Sequence, residues 1–371
     1  MKFNIQSKLL LSHLSAVSKV VNSKNKLSIL DNFLFSLEGD NLVITGSDQE
    51  TTLMTHVEVQ DAEGGGKFAA NVKVLLDMLK QLPDLALAFD INDENLEINI
   101  KYLNGKFNFI GINGNEFPTK ANPEDEPQKF TLPVKKVVDG LQHTLFAVGV
   151  DDMRPVMMGV FWDIKPSEIV FVATDTHKLV RFRELNTATG IESSFILPTK
   201  PASILSSILE KEEGNINITI ESKSATFETA NYTLTCRFVN GRYPNYNSVI
   251  PSASQYSISI DRMTLLNALR RVSVFTSSSG LVKFELKPGE IFMSTQDVDY
   301  STSAEEKIAC DYNSDELSIG FNDSNIIDVL NNIKSETVTL KLMDASKAGI
   351  FVPVEQEEDC DLLILLMPMM L

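Results

Sequence analysis

At 371 residues, with 43% hydrophobic and 22% charged residues, the chain can form two or three domains that each bury a core, and it is too apolar and too poor in Pro and Gly to be disordered or fibrous. Thirty-three Lys and Arg against fifty Asp and Glu give a net charge of −17, which excludes a surface that wraps nucleic acid by overall basicity and leaves only local basic faces. No stretch reaches the roughly 18 apolar residues of a membrane helix, no signal peptide is expected, and Cys236, Cys310 and Cys360 lack disulfide or zinc spacing, as suits a reducing cytoplasm.

The first predicted elements are a strand and a helix in KFNIQSKLLLSHL from Lys2, with Leu10, Leu14, Val17 and Val21 at helical spacing. An apolar strand follows in DNLVITGSDQET from Asp40, ending at Asp48. Next come the turn GGGK (64–67) and a second strand and helix in KFAANVKVLLDMLKQL. The segment NLEINIKYLNGKFNFIGI alternates with period two about Asn104-Gly105 and reads as a hairpin.

The order then begins again. KFTLPVKKVVDGL from Lys129 and YSISIDRMTLLNAL from Tyr256 repeat the opening, with Phe3, Phe130 and Ile258 spaced 127 and 128 apart. SEIVFVATDTHK and GEIFMSTQDVDY repeat the strand that ends on aspartate, so that Asp48, Asp175 and Asp297 correspond. SFILPTKPASILSSIL and LSIGFNDSNIIDVLNNI repeat the second helix, with Phe68 and Phe195 again 127 apart. Three blocks at one period predict three similar α+β domains, 1–122, 129–250 and 256–371, joined by polar, Pro-bearing linkers at 121–128 and 250–255.

The predicted helices, 7–22, 71–81, 133–148, 198–210, 261–274 and 322–334, hold eleven Lys and Arg against six acids, a net +5 that leaves −22 for the rest. A polyanion lying against the helices would feel their charge more than the distant acidic exterior, because fields are screened within about 8 Å. Each helix taken alone is equally a solvated face, and the last is net negative.

No coherent active site emerges. GGGK lacks the phosphate-loop spacing. Asp175 and His177 resemble an acid/base pair, but the other repeats carry Glu50 and Asp299 where His177 sits, which favours a turn role for the shared aspartates. His13, His56 and His143 lack metal-ligand spacing. No catalytic residue, metal or cofactor is expected. The end, DLLILLMPMML, is apolar where chain ends are normally polar: Leu362 to Leu366 read as a buried strand, and MPMML as a shared or exposed groove.

The opening MKF, the three repeats of about 125 residues, VATDTHKL (172–179), NGRYPNY (240–246), IGFNDSNIIDVLN (319–331) and the terminal MPMML together resemble the bacterial sliding clamp family, the β subunit of DNA polymerase III. The resemblance implies three clamp-type domains, each with two helices on antiparallel sheets, and a head-to-tail homodimer that closes a ring around double-stranded DNA without reading its sequence. It implies a non-enzymatic processivity factor that tethers the replicative polymerase, the clamp loader and other clamp-binding-motif proteins, with no membrane role. Positions matching the family's peptide pocket are Met157, Thr174, His177, Lys178, Leu179, Pro244, Val249, Asn322, Met367, Pro368, Met369 and Leu371. Lys24, Lys73 and Arg154 match DNA-contacting positions, and Phe107, Phe109, Val274 and Phe275 match the dimer contact. The sequence departs from the family at Ser248, Asn325 and Met370, where arginine, tyrosine and a basic residue are common, so a more purely apolar peptide is expected; the TSSSGL loop after Phe275 does not align cleanly. A three-repeat protein scaffold without DNA, or an enzyme using Asp175 and His177, are the alternatives.

Overall fold

The computed structural model describes residues 1–22, 25–118 and 126–371. Its six α-helices are α1 (Ser7–Val17), α2 (Val72–Lys80), α3 (Val134–Thr144), α4 (Thr199–Leu209), α5 (Arg262–Val272) and α6 (Asp323–Asn331). They stand where the apolar spacing put them, with ends drawn in. At α1 the chain tightens after Val17 into three-residue turns, Val20 N–H donating to Val17 O. Past α3 and α5 it continues as 3-10 turns at Leu145–Ala147 and Ser273–Phe275. Asn71, Asp261 and Asn322 start α2, α5 and α6 by accepting the backbone N–H three residues on.

Among the described residues the strands form four antiparallel sheets, and two of these run from one repeat into the next. In a nine-stranded sheet, Thr51–Glu58 of the first repeat pairs with Tyr232–Arg237 of the second, Leu53 opposite Leu234. In an eight-stranded sheet, Lys178–Glu184 of the second repeat pairs with Cys360–Leu366 of the third, Val180 opposite Ile364. The other two sheets end openly. A five-stranded sheet ends on Gly105–Ile110, and a four-stranded one on Thr302–Ala309. The shared sheets group the chain into two compact units, Met1–Lys135 with Ser203–Phe238 and Lys136–Ala202 with Val239–Leu371, the division falling inside the second repeat.

The repeated aspartates make turns. Asp48 Oδ1 accepts from Glu50 N and Thr51 N (3.1 and 2.7 Å), Asp175 Oδ1 from His177 N and Lys178 N (2.9 and 2.8 Å), and Asp297 Oδ1 from Asp299 N and Tyr300 N (2.9 and 3.2 Å). Gln49 and Thr176 each take a left-handed φ in the first two; in the third, Asp297 still pairs with Thr302 and the left-handed residue is Ser301. Within the GGGK run only Gly64 and Gly65 connect strands, Gly64 at positive φ, and Gly66 and Lys67 already begin the strand Gly66–Asn71.

Two expectations need correcting. The hairpin turn is Leu103-Asn104, not Asn104-Gly105, because Gly105 pairs with Tyr102; a Cβ at Gly105 would lie 2.4 Å from the Tyr102 hydroxyl. The helical charge is still +5 over the observed helices, nine bases against four acids, but part of it is structural. Lys136 Nζ bonds Thr187 Oγ1 and Leu185 O, and Arg262 bonds Ser335 O and Leu330 O.

Lys136 also lies 3.3 Å from Glu184, a buried carboxylate that receives the Cys360 thiol. Burial pushes the Glu184 carboxyl above the ordinary glutamate range, against the opposing pull of Lys136. The folded state therefore holds this proton more tightly than the unfolded chain, and the stability the group contributes falls as pH rises from the ordinary value through the raised one. We expect Glu184→Gln to gain in Tm relative to wild type as pH rises from about 4 to 7. Thermal unfolding of both proteins across that range checks this, and a pH-independent difference would contradict it.

Candidate functional site

Within the second compact unit, one face of the eight-stranded sheet gathers Val170, Val172, Leu179, Ile196, Ile350, Leu363 and Leu365 into a buried cluster with Tyr243 and Tyr246. Tyr243 stacks on Phe161 at 4.6 Å, and Tyr246 donates its hydroxyl to Asp163 Oδ2 at 2.8 Å. Burial, with the Asp163 carboxylate beside it, pushes that phenol up to about 12. The NGRYPNY segment is thereby anchored by its two tyrosines, while Pro244, Ser248 and Val249 stay exposed at the surface above them.

The Asp175 turn enters the same site. Thr174 Oγ1 donates to Lys178 O and accepts from Thr176 N, so its hydroxyl closes the turn. Lys178 points inward: its Nζ is 2.8 Å from Asp175 Oδ2, donates to Asn325 Oδ1 at 3.1 Å, and lies 3.8 Å from Asp328. This ammonium ties the turn to α6 and is not presented to solvent. His177 remains exposed, its carbonyl accepting from Met367 N at 2.8 Å.

The apolar tail is tied at two points. After Met367, Met369 N donates to Gly320 O at 2.8 Å and forms a bridge on the edge of Leu317–Asn322. A Cβ on Gly320 would stand 2.9 Å from Met369 O and 3.0 Å from Leu371 Cδ2, so glycine is what lets the tail lie there. Met367, Met370 and Leu371 are exposed, and Met157, Pro368 and Met369 half-buried. The surface so made is apolar and methionine-rich over a rigid sheet.

Of the twelve pocket positions, Met157, His177, Pro244, Val249, Met367, Pro368, Met369 and Leu371 present surface. Thr174, Lys178, Leu179 and Asn322 build the frame. Asn322 caps α6 and donates to Ser279 O, Asp323 N donates to Gly280 O, and Thr276 Oγ1 reaches Asp323 Oδ2. The TSSSGL loop thus holds the start of α6 through the Ser279 and Gly280 carbonyls and the Thr276 hydroxyl, a role invisible in sequence because most of it falls to backbone atoms. The supporting aromatics Tyr243, Tyr246 and Phe161 were also missed, although the paired tyrosines of NGRYPNY were a signal.

Among the positions matched to DNA contact, Lys73 is exposed on α2 and Lys24 lies outside the described residues. Arg154 is exposed but its Nε is bonded to Asp151 Oδ2 at 2.8 Å, and Met153 N–H with that guanidinium holds the Asp151 carboxyl below its usual range. Phe107 and Phe109 alternate, half-buried, on the open edge Gly105–Ile110. Val274 and Phe275, 75% and 41% exposed, sit on the 3-10 turn packed beside the other open edge, Thr302–Ala309. Asp175 gives both oxygens to turn and Lys178 bonds. His13 bonds Thr55 and His143 stacks on Phe182 at 4.5 Å, both packing roles.

Three α+β repeats joined sheet to sheet, with Gly105–Ile110 and Thr302–Ala309 among the open sheet edges and an apolar tail seated beside a shared sheet, define the clamp class of protein. The chain belongs to the DNA polymerase III beta subunit family, whose N-terminal, central and C-terminal domain descriptions match residues 1–121, 131–245 and 247–370. The beta sliding clamp of Pseudomonas aeruginosa is 28% identical over 375 residues, covering 100% of both chains, and that of Bacillus subtilis is 25% identical over 94% of each. The crystal structure of the DNA polymerase III subunit beta from Pseudomonas aeruginosa matches with a TM-score of 0.92 at 27% identity, covering both chains fully. The protein is accordingly a sliding-clamp processivity factor and not an enzyme.

Proposed function

We propose that two copies close head to tail by pairing Thr302–Ala309 of one with Gly105–Ile110 of the other, twice, so that the ring encloses duplex DNA in the cytoplasm. The observation that carries this is the repetition of the seams. Within each chain, the strand after the aspartate turn pairs with the last main strand of the next repeat: Thr51–Glu58 with Tyr232–Arg237, then Lys178–Glu184 with Cys360–Leu366. The third repeat's corresponding strand is Thr302–Ala309, and the first repeat's last full strand is Gly105–Ile110. Among the described residues both are sheet edges with no strand on their outer side. Open edges invite strand pairing with another chain, and joining these two would make a nine-stranded sheet like the one already present.

Enclosure supplies the tether, so the contact with DNA has only to be weak and replaceable. Lys73 and Arg154, with Lys24, serve as diffuse phosphate contacts, Arg154 tempered by Asp151. Partners dock through the methionine-lined groove, which accepts a short apolar and aromatic segment of a polymerase, clamp loader or repair protein. A buried Leu or Phe gains roughly 1.5 to 3 kcal/mol, and two or three such anchors less their ordering cost give roughly micromolar, exchangeable binding. Ser248, Asn325 and Met370, together with the inward Lys178, leave little cationic rim and favour uncharged flanks on the peptide.

The test is topological. The loaded protein stays on circular or end-blocked duplex and leaves linear duplex by its ends. Equal dwell times on the two would defeat the reading, and a protein scaffold without DNA would show no retention on either.

A further inference from the structure

We propose that the thioethers of Met367, Met369 and Met370 form an oxidation-sensitive modification site, at which conversion to methionine sulfoxide by peroxide switches partner docking off. The inference rests on the reading of the groove as the partner site. Its first support is geometry: the tail backbone is held by Met367 N to His177 O and Met369 N to Gly320 O, both 2.8 Å, so the segment that carries the three thioethers is seated beside the His177 turn and Gly320. Its second is access, Met370 being 96% and Met367 44% exposed. Its third is the lack of a competing thiol. Burial pushes the Cys236 thiol up to about 12, and burial followed by neighbouring carboxylates pushes Cys310 and Cys360 up to about 11, so all three hold their protons near neutral pH and offer little thiolate.

The step is balanced by hydrogen peroxide. A sulfur lone pair attacks one peroxide oxygen, the S–O bond forms as O–O breaks, the sulfur loses two electrons, and the departing oxygen leaves as water after proton transfer. A flexible apolar thioether becomes a polar sulfoxide that must be stripped of water before a Leu or Phe anchor can cover it, and the change is reversible by methionine sulfoxide reductases. Exposed methionines elsewhere, Met153, Met263 and Met343, oxidise too and serve as an internal comparison.

The experiment uses the full chain and a fluorescein-labelled hexapeptide carrying adjacent Leu and Phe, with sulfoxide positions verified by mass spectrometry. Untreated wild type binds the peptide. After peroxide we expect its affinity to fall by about tenfold or more, and sulfoxide reductase to restore it. The variant Met367→Leu/Met369→Leu/Met370→Leu, which keeps apolar volume, serves as its own reference: whatever affinity it shows before treatment, that affinity is expected to be unchanged by peroxide. Oxidised wild type that binds unchanged, or a triple variant that loses affinity equally, overturns the proposal while leaving the groove intact. Untreated wild type that fails to bind overturns the groove reading itself and this one with it.

Discussion

Phe275→Asp is expected to turn the protein into a monomer at micromolar concentration, with half the wild-type mass by size exclusion and light scattering, and to abolish retention on circular DNA. Phe275 and its neighbour Val274 lie on the turn packed beside the open strand Thr302–Ala309. When that edge pairs with Gly105–Ile110 of a second copy, both side chains lose solvent against Phe107 and Phe109. A carboxylate placed there is desolvated with no partner in each of the two contacts, at a cost of roughly 4 kcal/mol apiece, or about six orders of magnitude in the dimerisation constant. Phe107→Asp, on the opposite edge, should do the same. Met343→Asp, at an exposed apolar position on neither edge, should not. Peptide binding is expected to survive in all three, since the groove lies within one compact unit. A dimeric Phe275→Asp would remove the edge pairing from the account.

The features legible in the sequence were those in which a side chain meets a repeated local demand. Phe3, Phe130 and Ile258 recur because each is the buried member of a strand leading into a helix. The three aspartates recur because each must satisfy backbone N–H groups at a strand end, and one strand reverses there in every repeat. Illegible were features set by distant chain or by backbone atoms. Nothing local in Thr51–Glu58 announces Tyr232–Arg237 as its partner, because alternation fixes which face is buried and leaves open which strand lies alongside. The Asn-Gly signal misplaced a turn by one residue because the Tyr102 ring, not the turn type, requires the glycine. At the site, the resemblance pointed to Thr174, Lys178 and Asn322 but gave no hint that their polar atoms bond within the fold. Lys178 is the instructive case: by sequence only a position matched to the pocket, by structure an internal tie between a turn and α6.

Deleting Met367 to Leu371 is expected to lower peptide affinity by about 100-fold while dimerisation and retention on circular DNA persist, because only one wall of the groove is lost. Truncation alone does not separate loss of contact from loss of the fold beneath it. The strand Cys360–Leu366 forms the seam with Lys178–Glu184, and a frayed end could loosen it. Gly320→Ala separates the two. The added methyl meets Met369 O and Leu371 Cδ2 within 3.0 Å, displacing the tail from its bridge while every tail residue and the seam remain. Leu281 Cδ1, the other near atom at 2.8 Å, is the end of a flexible side chain and can yield. The expected result is an intermediate loss of about tenfold in peptide affinity with a small shift in Tm. Unchanged binding by Gly320→Ala alongside strong loss on truncation would mean that the tail's composition matters and its seat on Gly320 does not. Unchanged binding by both would move the partner site elsewhere on the chain. The ordering wild type, Gly320→Ala, truncation is what a groove wall tied at His177 and seated on Gly320 demands.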